Sequence, residues 1–129
     1  MDAADLAQFI QVSPANTRLL EQHARLVNFN EAGPVIHKGQ AVSGAYIVLR
    51  GGLRIYTYSP NGFEATLYRL RPGETCVLTL NCLFNDLRYP AWVEASADTR
   101  VALIPGDIYR KLFADEPAVR ETTVQALST

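Results

Sequence analysis

LRIYTYSPNGFEATLYRL, residues 53–70, decides the fold class. Two segments rich in β-branched and aromatic residues flank Ser59-Pro60-Asn61-Gly62, and the Asn-Gly pair tolerates the positive φ that a tight hairpin demands. If Tyr58 pairs with Phe63, then Arg54, Tyr56, Ala65 and Leu67 share one face. Ile55, Thr57, Thr66 and Tyr68 share the other, and both faces are partly apolar.

Outward from the hairpin the same grammar repeats. Turn residues recur at Gly33-Pro34, Gly39, Ser43-Gly44, Gly51-Gly52 and Pro72-Gly73. Between and beyond them, Val35–His37, Ala45–Arg50, Trp92–Ala95 and Val101–Ile104 read as further short strands. Many short strands with regular turns predict an all-β sandwich or closed jelly roll. Helical periodicity returns at both ends. Leu6, Phe9 and Ile10 suggest a short amphipathic helix, and Ser13 caps a second one with Pro14 at its first position and His23 in its last turn. After Pro105, Ile108, Leu112 and Phe113 make one helix, and Asp115 with Pro117 opens another. The chain reads as one domain: a helical N-terminus over 1–25, a β-roll over 26–105 and C-terminal helices over 106–129.

Composition narrows the function. The 129 residues are 48% hydrophobic and carry a net charge of −1 without a run of Lys or Arg, so no nucleic-acid footprint is present. No apolar run approaches a membrane span and the N-terminus is acidic, which points to the cytoplasm and away from a membrane. Cys76 and Cys82 read as buried thiols, since neither a CxxC nor a neighbouring His accompanies them. With only His23 and His37, the chain lacks the ligand set of a cupin-type metal enzyme, and it contains no G-x-S-x-G or Walker loop. It is not expected to be an enzyme.

The segment PGETCVLTLNCLFNDLRYPAWVEA, residues 72–95, is the candidate site. Its short apolar stretch, Cys76 to Phe84, suits a one- or two-turn helix, and Arg88 follows. Unpaired N–H groups around Thr79, Leu80 and Asn81, with a guanidinium fork nearby, can hold a phosphate or carboxylate. The alternative is a hydrophobic plug closing the barrel.

Gly33-Pro34-Val35-Ile36, Lys38-Gly39-Gln40, Ala45 to Gly51, Leu53-Arg54-Ile55-Tyr56 and Asn61-Gly62-Phe63-Glu64 follow one another in a pattern. In that order and spacing the chain resembles the sensor domain of the cyclic-nucleotide receptor and fumarate-nitrate regulator (CRP/FNR) family of bacterial transcription factors. The resemblance implies a mainly β double-stranded β-helix, or jelly roll, with N-terminal helices, a short inserted helix and a trailing C-terminal dimerisation helix. It implies a homodimer through that helix, and DNA contact only through a following winged helix-turn-helix domain, which is absent from this sequence. The last helix has no Gly or Pro stop, as in a fragment. Val119, Thr123, Ala126 and Leu127 share one face with Val124 at its edge, and that stripe either folds back on the roll or pairs with its twin.

In the family, cyclic AMP binding uses a Gly-Glu at the short helix and an Arg followed by Ser or Thr and Ala. Here Thr79 and Leu80 take the Gly-Glu positions, and Tyr89 and Pro90 take those of Arg and Ser, with Arg88 one place early. Tyr68 is bulky enough to fill the cavity. Cyclic AMP is therefore not the expected effector. The effector remains unassigned; Arg88, Thr79, Leu80, Asn81, Tyr89 and Tyr68 are its candidate contacts. Haem, with His37 the better ligand of the two histidines, is one alternative, and His37 as an ordinary surface residue is the plainer reading. The iron–sulfur branch is excluded because no cysteine precedes Cys76. A ligand-free dimerisation scaffold plugged by Tyr68 and Leu80 is the other alternative.

Overall fold

A computed structural model describes residues 11–75 and 87–128, with side chains through residue 125 at the C-terminal end. The elements run α1 (Pro14–His23), β1 (Arg25–Phe29), β2 (Gly33–Ile36), β3 (Gly44–Arg50), β4 (Leu53–Tyr58), β5 (Glu64–Leu70), β6 (Trp92–Ala95), β7 (Thr99–Pro105), α2 (Gly106–Asp115) and α3 (Pro117–Ser128). Two antiparallel sheets form, a three-stranded one ordered β1-β7-β3 and a four-stranded one ordered β2-β6-β4-β5. This is the jelly-roll architecture expected from the turn spacing. The helix expected around Leu6 to Ile10 and the apolar stretch Cys76 to Phe84 lie outside the described residues.

Strand alternation explains how one sheet serves two cores. In β3, Val48 packs with Val101 of β7 against Ile36, Leu53, Ile55, Leu70 and Val93 of the facing sheet. The intervening Ala45, Ile47 and Leu49 join Ala102, Ile104, Leu20, Ile108, Tyr109, Leu112 and Val119 beneath the helices. Successive side chains of a strand point to opposite faces, so this pattern requires a sheet covered on both sides. Burying each such aliphatic side chain contributes roughly 1.5–3 kcal/mol.

The hairpin register differs from the expected one. Tyr58 pairs with Glu64, Thr57 with Ala65 and Tyr56 with Thr66. The Gly62 N–H donates to Ser59 O at 2.9 Å and the Ser59 N–H to Phe63 O at 2.7 Å, while Gly62 takes φ +85°. A β-turn followed by a left-handed glycine therefore closes the loop one residue later than the Tyr58–Phe63 pairing supposed. The ladder then shifts between Ile55 and Tyr56, so Ile55 meets Tyr68 and Arg54 meets Arg69. Arg54 consequently shares its face with Glu64 and Thr66, to which its guanidinium donates, rather than with Ala65 and Leu67.

Other boundaries moved for local reasons. A strand at Arg25–Phe29, not singled out in the sequence, pairs with β7. Ser13 occupies the N-cap of α1 without a side-chain cap bond; its hydroxyl donates elsewhere. α2 extends through Asp115, and the residue between the last two helices is Glu116, not Asp115. Arg120 reaches back from α3 and donates through Nη1 to Phe113 O and Ala114 O, both at 3.0 Å, satisfying carbonyls at the end of α2.

Two glycines carry different burdens. Gly51 has φ +78°, and a Cβ there would stand 2.4 Å from Thr99 Oγ1 and 2.7 Å from Thr99 Cα; at Gly62 it would meet nothing within 4 Å. Gly51→Ala is expected to cost about 2–3 kcal/mol, combining left-handed strain with a backbone clash. Gly62→Ala should cost only about 1 kcal/mol, the conformational part alone. Urea midpoints of the two variants check the ordering.

Candidate functional site

Residues 87–91 lead from the inserted segment into β6, and the strand period separates their roles. Arg88 forms an isolated bridge with Ala41, is exposed, and donates through Nη1 to Gly39 O at 3.0 Å. Tyr89 points the other way. It is 1% exposed within the inter-sheet cluster, and its backbone exchanges bonds with Gln40 O at 3.0 Å and with the Gly39 N–H at 2.7 Å. Tyr68, half-buried opposite Ile55, packs against the same cluster. The structure therefore buries Tyr89 in the inter-sheet cluster, packs Tyr68 against that cluster and sets Arg88 on the outside of the corner. Thr79, Leu80, Asn81, Cys76 and Cys82 lie outside the described residues.

A cavity of about 230 Å³ opens on the other side of the three-stranded sheet, bordered by Gln11, Ile47, Gly73, Thr75, Tyr109 and Val119. Its ceiling is helical and its floor is β3. The Thr75 hydroxyl donates to Tyr46 O at 2.8 Å and anchors the 73–75 turn at one rim. Behind the helical rim formed by Tyr109 and Val119, Thr123 Oγ1 donates to Val119 O at 2.7 Å, which commits its proton. The 2.6 Å contact to Tyr109 Oη is then a bond donated by the phenol. Burial raises the Tyr109 pKa above the ordinary phenol value, so the phenol stays a donor at neutral pH. Val119 and Thr123, expected at a two-chain interface, are thus buried inside their own chain, while Val124 is 50% exposed. The side chains of Ala126 and Leu127 lie outside the described ones.

Among the described residues neither histidine belongs to a group placed to hold a metal ion. His37 stands exposed just past β2, its N–H donating to Gln40 Oε1 at 3.1 Å, and His23 is exposed in the last turn of α1. Among the described residues no group of three or more His, Cys, Asp or Glu is placed to hold a metal ion. These positions do not fit a buried haem ligand. Among the described residues no helix is long and apolar enough to cross a membrane.

The strongest polar feature was not visible in the sequence. The buried carboxylate of Glu116 accepts three bonds at Oε1: from the Ser13 N–H at 2.9 Å, the Ser13 hydroxyl at 2.6 Å and Asn16 Nδ2 at 2.8 Å. The start of α1 is thereby fastened to the elbow between α2 and α3. The sequence pattern places the helix start at Asp115 and passes over Glu116, whose partners are about a hundred residues distant and leave no local signal.

A family model described as the cyclic nucleotide-binding domain matches residues 26–116. The chain belongs to the cyclic nucleotide-binding domain family. The solved structures similar to this domain include a candidate transcriptional regulator of the crp/fnr family from Eubacterium rectale, with 25% identity, a TM-score of 0.75 and coverage of 92% of this chain and 55% of that one. The sensor domain of the transcriptional regulator DNR from Pseudomonas aeruginosa superposes with a TM-score of 0.80 at 21% identity, covering 98% of this chain and 88% of that one. Thermus thermophilus Catabolite Activator Protein gives 0.74 at 22%, covering 91% and 54%. This domain thus spans about 55% of the length of the Eubacterium regulator. No curated protein sequence matches it.

The Glu116 site makes the domain's stability depend on acid. The Ser13 hydroxyl, then Asn16 and the Ser13 N–H, hold the Glu116 carboxyl below its ordinary value of 4.5. The native state therefore binds its proton later than the unfolded chain does, and the stabilisation is complete above the unfolded value. Relative to Glu116→Gln, the wild type should keep its full advantage above pH 5 or so, and lose it as pH falls through the lowered native pKa. At neutral pH, Glu116→Ala should cost about 2 kcal/mol by stranding Ser13 and Asn16 donors. Urea unfolding at a series of pH values measures both.

Proposed function

We propose that this domain is the effector-sensing and dimerisation unit of a CRP/FNR-type transcription regulator, working in the cytoplasm with a DNA-reading domain supplied beyond α3. One observation carries the reading. The first turns of α3 are held by Val119 in the apolar cluster beneath the helices and by the Thr123 bond to Tyr109 of α2; Val119 and Tyr109 border the cavity, while Val124 is 50% exposed. An occupant of the cavity, or a rearrangement of the neighbouring 73–75 turn, would alter that seating and so the presentation of Val124 to a second chain. The similarity to the DNR sensor domain supports the same role.

Cyclic AMP is not the proposed effector. Arg88 donates to Gly39 O on the outside of the corner, Tyr89 occupies the interior, and Tyr68 packs against the same cluster. Those two tyrosines equally favour the second reading, a ligand-free scaffold acting through dimerisation. Thermal melts separate cyclic AMP from both: a ligand at a hundred times its Kd adds about 2.7 kcal/mol, and no such shift is expected here. A saturable upward shift would restore the cyclic-nucleotide reading.

Dimerisation is tested by sedimentation across a concentration series. The wild-type domain should associate weakly at high concentration, and Val124→Glu should abolish that association without lowering Tm, because the position is exposed. A wild type that stays monomeric throughout, or a variant that associates equally well, would remove α3 as the dimer element.

A further inference from the structure

The outer face of the four-stranded sheet gathers arginines at the corner beside the β3–β4 turn. Arg54 and Arg69 are ladder partners on β4 and β5, so two like charges stand directly opposite on one face. Such a pair is destabilising unless it is neutralised. Arg54 is neutralised by Glu64 and by Glu94, whose Oε1 accepts from Nε at 2.7 Å. Arg69 is exposed and makes no hydrogen bond or ion pair among the described residues. Two residues on, Arg71 is 85% exposed with Nε 3.6 Å from Glu74 Oε1. That oxygen already accepts the Arg71 N–H at 2.7 Å, and an exposed pair at this separation adds little.

These side chains border a basin of about 480 Å³. Leu53, Leu70 and Ala95, whose side chains are buried in the inter-sheet cluster, border it together with Gly52. Glu94, the carboxylate among the described lining residues, is already engaged by Arg54. Two guanidinium groups lacking a full counter-charge, beside a concavity of small-ligand size, match a doubly charged oxyanion carrying a small organic group. We propose that this basin binds a phosphate-bearing small molecule through Arg69 and Arg71, at a place separate from the roll interior and from the cavity beneath α3.

Thermal melts and calorimetry on the whole chain test this with inorganic phosphate, glycerol 3-phosphate, glycerol and chloride at matched ionic strength. Phosphate and glycerol 3-phosphate should bind saturably, and glycerol and chloride should not; tighter binding of glycerol 3-phosphate would identify a phosphomonoester over the free ion. Arg69→Gln with Arg71→Gln, both exposed, should leave the ligand-free Tm unchanged and raise the apparent Kd about tenfold or more. Arg18→Gln with Arg25→Gln removes equal charge elsewhere and should preserve binding. An equal response to chloride, no binding of either phosphate compound, or full binding by the Arg69/Arg71 variant would overturn the proposal.

Discussion

The pairing of β3 with β7 is the constraint on which the rest depends. Val48 and Val101 are ladder partners facing the second sheet, and the next pair along, Ile47 with Ala102, faces the helices. A slip of one residue on either strand would exchange the two sets and send each into the wrong core. Register is therefore specified from both sides at once. The small Ala45 and Ala102 belong to the helical cluster, where they leave room for Tyr109 and Leu112 of α2. The one irregularity in this ladder falls between Val48 and Arg50, where the extra residue, Leu49, still belongs to the helical cluster.

The three helices pack on that sheet through the apolar cluster and are fastened to one another by two polar links. Glu116 holds α1 to the α2–α3 elbow, and Tyr109 holds α3 through Thr123. Hydrogen bonds in such places are directional where apolar packing is not, so they define where α3 starts and how it is turned. That orientation places Thr123 inward and Val124 outward. The apolar stripe of the helix is thereby divided between a buried and an exposed side.

The outer face of the four-stranded sheet follows different physics. It contributes nothing to either core and is organised by charge and aromatic contact: Trp92 stacks on Tyr56 with centroids 6.1 Å apart, Tyr58 meets Trp92 edge-on at 4.9 Å, and the Arg54 guanidinium lies 4.3 Å from the Tyr56 ring centroid. Arg54 is the centre of this arrangement, bound by two carboxylates from neighbouring strands. Its ladder partner Arg69 has no such arrangement, which makes the corner unlike the rest of the face.

Local sequence determined the elements. Gly-bearing turns at near-regular spacing, β-branched and aromatic segments between them, and Pro14 and Pro117 at helix starts act over a few residues, and among the described residues the strands and helices other than β1 appeared where those signals lay. It also determined that Arg88 and Tyr89 must face opposite ways, because strand alternation needs no partner. Which of the two entered the core was a tertiary decision, taken by the backbone bonds to Gly39 and Gln40 across the corner. The hairpin register was likewise beyond the pattern, since one left-handed glycine residue shifts every pair, and both faces of the hairpin were apolar enough to be inside. Glu116 reads locally as an ordinary acid between two helices; only folding brings Ser13 and Asn16 to it from about a hundred residues away, and burial then makes those bonds matter. The stripe on α3 had two apolar destinations that periodicity cannot distinguish. Val119 and Thr123 turned inward because the Tyr109 hydroxyl of α2 meets Thr123 there, and a hydrogen bond formed out of water separates two sites that hydrophobicity alone leaves equal.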